Sequence, residues 1–193
     1  MSMWTTYFIF SVVFILFTYV VFRVLIKRDY ENLQKLSPLS YVLEILVFAV
    51  HANSLYLILP TQWPELPKLP ENGILNIVSG IIFCIGAVML MLSWFTLGTG
   101  QSLGIDKNKL KTAGVYRYSR NPQLLSYGIM LMATVVLFFS LLMLFWFLLY
   151  LIISYLMIKS EEEFLKQKYQ VKYTEYCKQV PRIVGFAQLH GNE

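Results

Sequence analysis

Charge is scarce in this chain. Of its 193 residues only 14% are aspartate, glutamate, lysine or arginine, against about a quarter in soluble domains. Histidine occurs twice, at His51 and His190, and cysteine twice, at Cys84 and Cys177. All four are far apart. Neither a disulfide framework nor the spacing of a zinc site is present, so no metal centre is expected. What fills the chain instead is apolar: 57% hydrophobic, 16% aromatic, with a mean hydropathy of +0.58. That excludes an ordinary soluble domain and points to lipid as the solvent. The net charge of +5 then reads as membrane topology, not as a nucleic-acid surface.

About 20 apolar residues cross a bilayer core. Candidate spans fall at roughly 5–25, 40–59 and 74–97, and one stretch of nearly forty residues runs from Pro122 to Lys159. The first run lacks a basic leader and is too long for a signal core, so it reads as a true span. Pro60 closes the second. The long stretch suits two spans, about 122–139 and 141–159, turning near Ser140. The expectation is a single all-α, polytopic membrane domain over 1–193 with about five transmembrane helices. Under five spans, every one of the 16 basic residues except Lys68 falls on one side. The positive-inside rule then sets the N-terminus outside and the C-terminus in the cytoplasm.

Functional groups concentrate in two segments on that basic side, 98–121 and 159–185. In the second, Glu161, Leu165, Tyr169, Tyr173 and Tyr176 recur at helical spacing, so the fifth span continues as an amphipathic cytoplasmic helix. The run Glu161-Glu162-Glu163 needs a positive partner near an anionic leaflet, and Arg117 and Arg120 lie at the same membrane level. In the first, Gly98, Gly100 and Gly104 follow a membrane helix and not a strand. They read as a helix stop and a turn, not as a dinucleotide loop. Asn121-Pro122 suits a helix start, with asparagine capping and proline in the first turn. Glu44 and His51 stand two turns apart on one face of span two. Ionisable groups inside a membrane are costly, so they are candidates to line a route for a substrate, or an interhelical hydrogen-bonded pair.

The stretch "AGVYRYSRNPQ", a helical hairpin, and then "EEEFLKQKYQVKYTEYCKQVPRI" resemble the isoprenylcysteine carboxyl methyltransferase family, which belongs with the membrane phospholipid methyltransferases. The matching positions are Gly114, Tyr116, Arg120, Asn121, Pro122, Glu161, Glu162, Leu165, Tyr173, Tyr176 and Arg182, with Leu97-Gly98 and Gly104-Ile105 upstream. The resemblance covers 97 to 184. Two positions depart from it: Asn121 stands where histidine is usual, and Leu124 where tyrosine is common. Asparagine exchanges hydrogen bonds but does not titrate near neutral pH.

The resemblance implies a membrane-embedded methyltransferase that uses S-adenosylmethionine and a lipophilic or small-molecule acceptor drawn from the bilayer. Arg120 and Asn121 become the catalytic candidates. Tyr116, Arg120, Asn121, Pro122, Gln123, Glu161, Glu162, Tyr169, Tyr173 and Arg182 become the cofactor-binding candidates. Carboxylates suit an ammonium and ribose hydroxyls, and an arginine fork suits a carboxylate. Two other classes stay open: an NADPH-dependent sterol or enone reductase, and a non-catalytic membrane protein that kept the fold.

Overall fold

The computed structural model describes residues 2–59, 61–98 and 110–184. Pro60, Gly100, Gly104, Ile105 and His190, all named above, lie outside the described residues, as do Lys107 and Lys109 of the basic set. Most of those described are helical, with no strand among them. Helix α1 runs Met3–Leu33, α2 Pro38–Asn53, α3 Gly73–Leu97, α4 Pro122–Leu137 and α5 Leu141–Gln179. Their starts follow local chemistry. Ser2, Ser37, Asn72 and Ser140 each accept an amide hydrogen bond from the first turn of the helix they open, as N-cap residues do.

Four helices are long and apolar enough to cross a membrane: α1, α2 with its 3-10 extension to Leu57, α3 and α5. The fifth expected span, α4, has 16 residues, so it rises about 24 Å against a core of about 30 Å. It ends early because Phe138 leaves helical geometry before Ser140 opens α5. The turn near Ser140 is where the sequence places it. The chain still alternates: α1, α3 and α5 arrive at one end of the bundle, and α2 and α4 depart from it. At the opposite end Trp4, Leu59, Leu75, Leu137 and Leu141 share one apolar hollow.

Three contacts, spread along the bundle, fix the helices against one another. Helix α3 approaches α4 at Gly86, where an added Cβ would stand 2.7 Å from Met130 Cγ and 2.8 Å from the Ser126 carbonyl oxygen. Helix α2 locks to α5 through a reciprocal pair. His51 Nε2 lies 3.0 Å from the Trp146 carbonyl, Trp146 Nε1 donates to the His51 carbonyl at 3.0 Å, and the two rings stack. Helix α1 ties to α5 through Ser160, whose hydroxyl donates to the Phe22 carbonyl at 2.7 Å. Phe22 sits in a π-helical segment, Val20–Ile26, inside α1. Such wide turns are often found at functional sites, and this one turns Phe22 and Ile26 toward the cleft described next.

Helix α5 continues to Gln179 but bends at Gln170, where φ is 44° and ψ is −116°. On either side of the bend Glu162, Phe164, Tyr173 and Tyr176 are buried.

Candidate functional site

Helix ends arriving from opposite directions leave a cleft at the basic end. The cleft opens to solvent, and the space between its walls, counted out through its mouth, is about 1020 Å³. One wall is apolar: Phe22 and Ile26 from α1, Leu97 from α3, Leu124 from α4, and Met157 and Leu165 from α5. The other is polar, built from the 3-10 turn Gly114–Arg117, the segment leading into α4, and the far half of α5.

Of the residues singled out in the sequence, Tyr116, Arg120, Asn121, Pro122, Gln123, Glu161, Glu162, Tyr169 and Tyr173 all line this cleft, and so does Glu44 from α2. Arg182 stands behind the wall. His51 is elsewhere, fully buried in its pairing with Trp146. Of the two readings for His51 the interhelical one describes its surroundings, because a ring stacked and hydrogen-bonded between two helices presents nothing to a substrate.

The three consecutive glutamates diverge. Successive residues on a helix point about 100° apart, so they do not share one partner. Glu161 faces the cleft. Glu163 pairs with Arg23 at 3.1 Å and Lys27 at 3.9 Å, both from α1. Glu162 pairs with two arginines: Arg120 Nη1 at 2.9 Å, and Arg182 through Nε at 3.1 Å and Nη2 at 2.6 Å. The expectation of Arg117 and Arg120 as partners holds for Arg120, while Arg117 is exposed. Arg23 was missed because it reads as an anchor at the end of a span. Only the helix phase reveals its carboxylate.

Arg120 is the hub. Its Nη1 also donates to the Tyr173 hydroxyl at 3.5 Å and lies against Cys177 Sγ. Its Nε is buried with no hydrogen-bond partner among the described residues. A guanidinium N–H left without an acceptor inside a protein is expensive, so this nitrogen calls for an anionic guest. Arginine is the residue whose planar fork best receives a carboxylate.

Asn121 departs from its expected role as a side-chain cap. Helix α4 starts after it, but no side-chain cap bond forms. Its carbonyl accepts from Leu125 N at 3.0 Å, while its amide Nδ2 donates to the Arg182 carbonyl at 2.8 Å.

The tyrosines of the polar wall stay protonated. Burial, before any other cause, pushes the phenols of Tyr116, Tyr173 and Tyr176 well above their ordinary range, and Glu162 adds to the effect at Tyr173. They act as neutral hydrogen-bonding rings. Tyr176 spends its hydroxyl on the Tyr116 carbonyl at 2.6 Å, fastening α5 to the 3-10 turn.

The α1 residues of the apolar wall, Phe22 and Ile26, were not foreseen. Nothing distinguishes them from the rest of a uniformly apolar span, and their direction depends on the π segment.

A model of the phospholipid methyltransferase family matches residues 71–172, just over half of the chain. The match takes in α3, α4, the polar segment between them and α5 as far as Lys172. No curated protein matches the chain, and no solved structure does. Together with several helices of membrane-crossing length, the match describes a multi-pass membrane protein with the general function of a methyltransferase. The chain belongs to the phospholipid methyltransferase family, within the same membrane methyltransferase superfamily as the isoprenylcysteine carboxyl methyltransferases.

Proposed function

We propose that the cleft binds S-adenosylmethionine and that the chain transfers its methyl group to a lipophilic acceptor reached from the bilayer. The observation that carries this reading is the buried Nε of Arg120, without a hydrogen-bond partner among the described residues, at the polar end of a cleft whose other wall is apolar. The donor set fits the cofactor: a cation for its carboxylate, carboxylates for its ammonium and ribose hydroxyls, and rings and apolar side chains for its adenine. When bound, this cofactor supplies an electrophilic methyl carbon on a sulfonium.

The chain's own residues then bind, orient and dry the site. Arg120 receives the carboxylate. Glu161 faces the ammonium or the ribose. Glu162, held between Arg120 and Arg182, keeps Arg120 aimed and adds its charge to the polar end. Tyr116, Tyr169 and Tyr173 flank the bound molecule, and Gln123 offers an amide at the start of α4. Phe22, Ile26, Leu124 and Met157 exclude water, which strengthens every charge contact inside. Rate acceleration on this reading comes from positioning two reactants. Glu44, on the α2 side, stands where an acceptor approaching from lipid meets the cleft. The basic end faces the cytoplasm by the positive-inside rule.

Detergent-purified protein should gain thermal stability with S-adenosylhomocysteine and none with NADPH. No shift with the first ligand argues for a non-catalytic protein, and a shift with NADPH alone argues for a reductase. Arg120→Ala should remove the stabilisation, since it deletes the carboxylate's partner. Incubation with labelled S-adenosylmethionine and total membrane lipid then identifies the acceptor by which lipid takes up label.

A further inference from the structure

The last described residues, 180–184, lie back across the polar wall. Val180 is buried against Tyr173 and Tyr176. The Pro181 carbonyl accepts the Arg120 backbone amide at 3.0 Å. The Arg182 carbonyl accepts from Asn121 Nδ2 at 2.8 Å. The Arg182 guanidinium grips Glu162 bidentately. Arg182's side chain is half exposed and Glu162's is 7% exposed, so this ion pair has one wet partner and holds little by itself. The other two bonds fix the backbone that carries Arg182. Only one of them comes from a side chain, and it comes from Asn121.

Docking of this segment also sets a charge. With it docked, two guanidiniums and one carboxylate stand together, a cluster of net +1, and the lining residues Glu161 and Lys111 add one charge of each sign. With it released, Arg182 leaves, and Arg120 with Glu162 forms a neutral pair. We propose that residues 180–184 are a strap whose docking holds the polar end of the cleft positive, and that Asn121 is the positioning residue that keeps the strap down. The requirement at position 121 is then an N–H donor two bonds from Cβ. Asparagine Nδ2 meets it, and histidine Nδ1–H occupies the same place. Alanine does not meet it. This inference deepens the proposed cofactor site and rests on that reading for its charge.

The test uses the full chain in detergent. Hydrogen exchange of the Arg120 amide reports strap docking without any ligand. Binding of S-adenosylhomocysteine, compared with its decarboxylated analogue, reports the charge. Asn121→Ala should speed Arg120 exchange at least about tenfold and weaken S-adenosylhomocysteine by about tenfold, while the analogue without the carboxylate changes by less than about twofold. Asn121→His should restore both. Arg182→Gln, which keeps the backbone bonds, should weaken S-adenosylhomocysteine similarly but leave Arg120 exchange slow. It also carries the charge claim should Asn121→Ala not fold. An unchanged Arg120 exchange in Asn121→Ala, or failure of Asn121→His to restore it, overturns the role of Asn121. Equal losses for the two ligands overturn the charge claim. If wild-type protein binds neither ligand, the cofactor reading fails, and the exchange comparison still decides whether Asn121 holds the strap.

Discussion

Gly114 shows how one residue shapes the polar wall. Its φ is +60°, a conformation that side-chain-bearing residues rarely adopt, and an added Cβ would stand 2.7 Å from Thr96 Cγ2. The glycine lets the 3-10 turn pass close over the end of α3 and present Tyr116 to the cleft. Gly114→Ala should cost about 1–3 kcal/mol through backbone strain and this clash, read as a lower melting temperature and weaker S-adenosylhomocysteine binding together. The buried phenols make a second prediction. Tyr116, Tyr173 and Tyr176 have folded pKa values above the ordinary value of 10.0, so the native state holds their protons more tightly than the unfolded chain does. Their stabilising contribution is complete below about pH 10 and is lost as pH rises through the folded values. Thermal melts should therefore show no loss attributable to them between pH 7 and 9, and a decline above about pH 10. Tyr116→Phe, Tyr173→Phe and Tyr176→Phe together should flatten that decline.

Between elements, the deciding contacts are those that cross from one helix to another. His51 links α2 to α5 through its ring and its carbonyl. Removing the ring leaves the Trp146 carbonyl without its partner and a void beside the indole. His51→Ala should cost about 1–3 kcal/mol and leave S-adenosylhomocysteine affinity unchanged, because the residue is outside the cleft. A large loss of affinity at unchanged stability would show that His51 acts on the cleft after all. The same contrast explains what was legible in the sequence. The hairpin turn at Ser140 was readable because a span length and a capping serine are both local. Arg120, Glu161 and Glu162 were readable because a charged residue beside lipid requires a partner. Arg23 with Glu163 and His51 with Trp146 were not, since each depends on the rotation of one helix against another. The shortness of α4 was also hidden, because Phe138 and Phe139 are as apolar as the residues before them and only the backbone reveals that the helix has ended.

At the scale of the molecule, charge gathers at one end. Arg120, Glu161 and Glu162 line the cleft, and Arg23, Lys27, Glu163 and Arg182 pair beside it, whereas Lys68 lies in the loop joining the far ends of α2 and α3. Cysteine labelling tests the orientation this favours. With Cys84 and Cys177 replaced by serine, Lys68→Cys should react with a membrane-impermeant maleimide in intact cells. Lys178→Cys should react only after permeabilisation. The reverse pattern would turn the molecule over and put the cleft outside.

The π segment of α1 has one more implication. Hydrogen bonds from i to i+5 span one residue more than those of an α-helix. The lipid-facing half, with Phe8, Ile9 and Val12 exposed, and the half carrying Phe22, Arg23 and Ile26 are therefore numbered on two scales offset by one. Were Val20–Ile26 wound as ordinary α-helix with every residue kept, one half would swing about 100° relative to the other. Either Phe8 and its neighbours would turn in toward the bundle, or Arg23 would turn away from Glu163. A change too small to alter whether α1 crosses the membrane would thus uncouple its two jobs, that of a lipid anchor and that of a wall of the cleft.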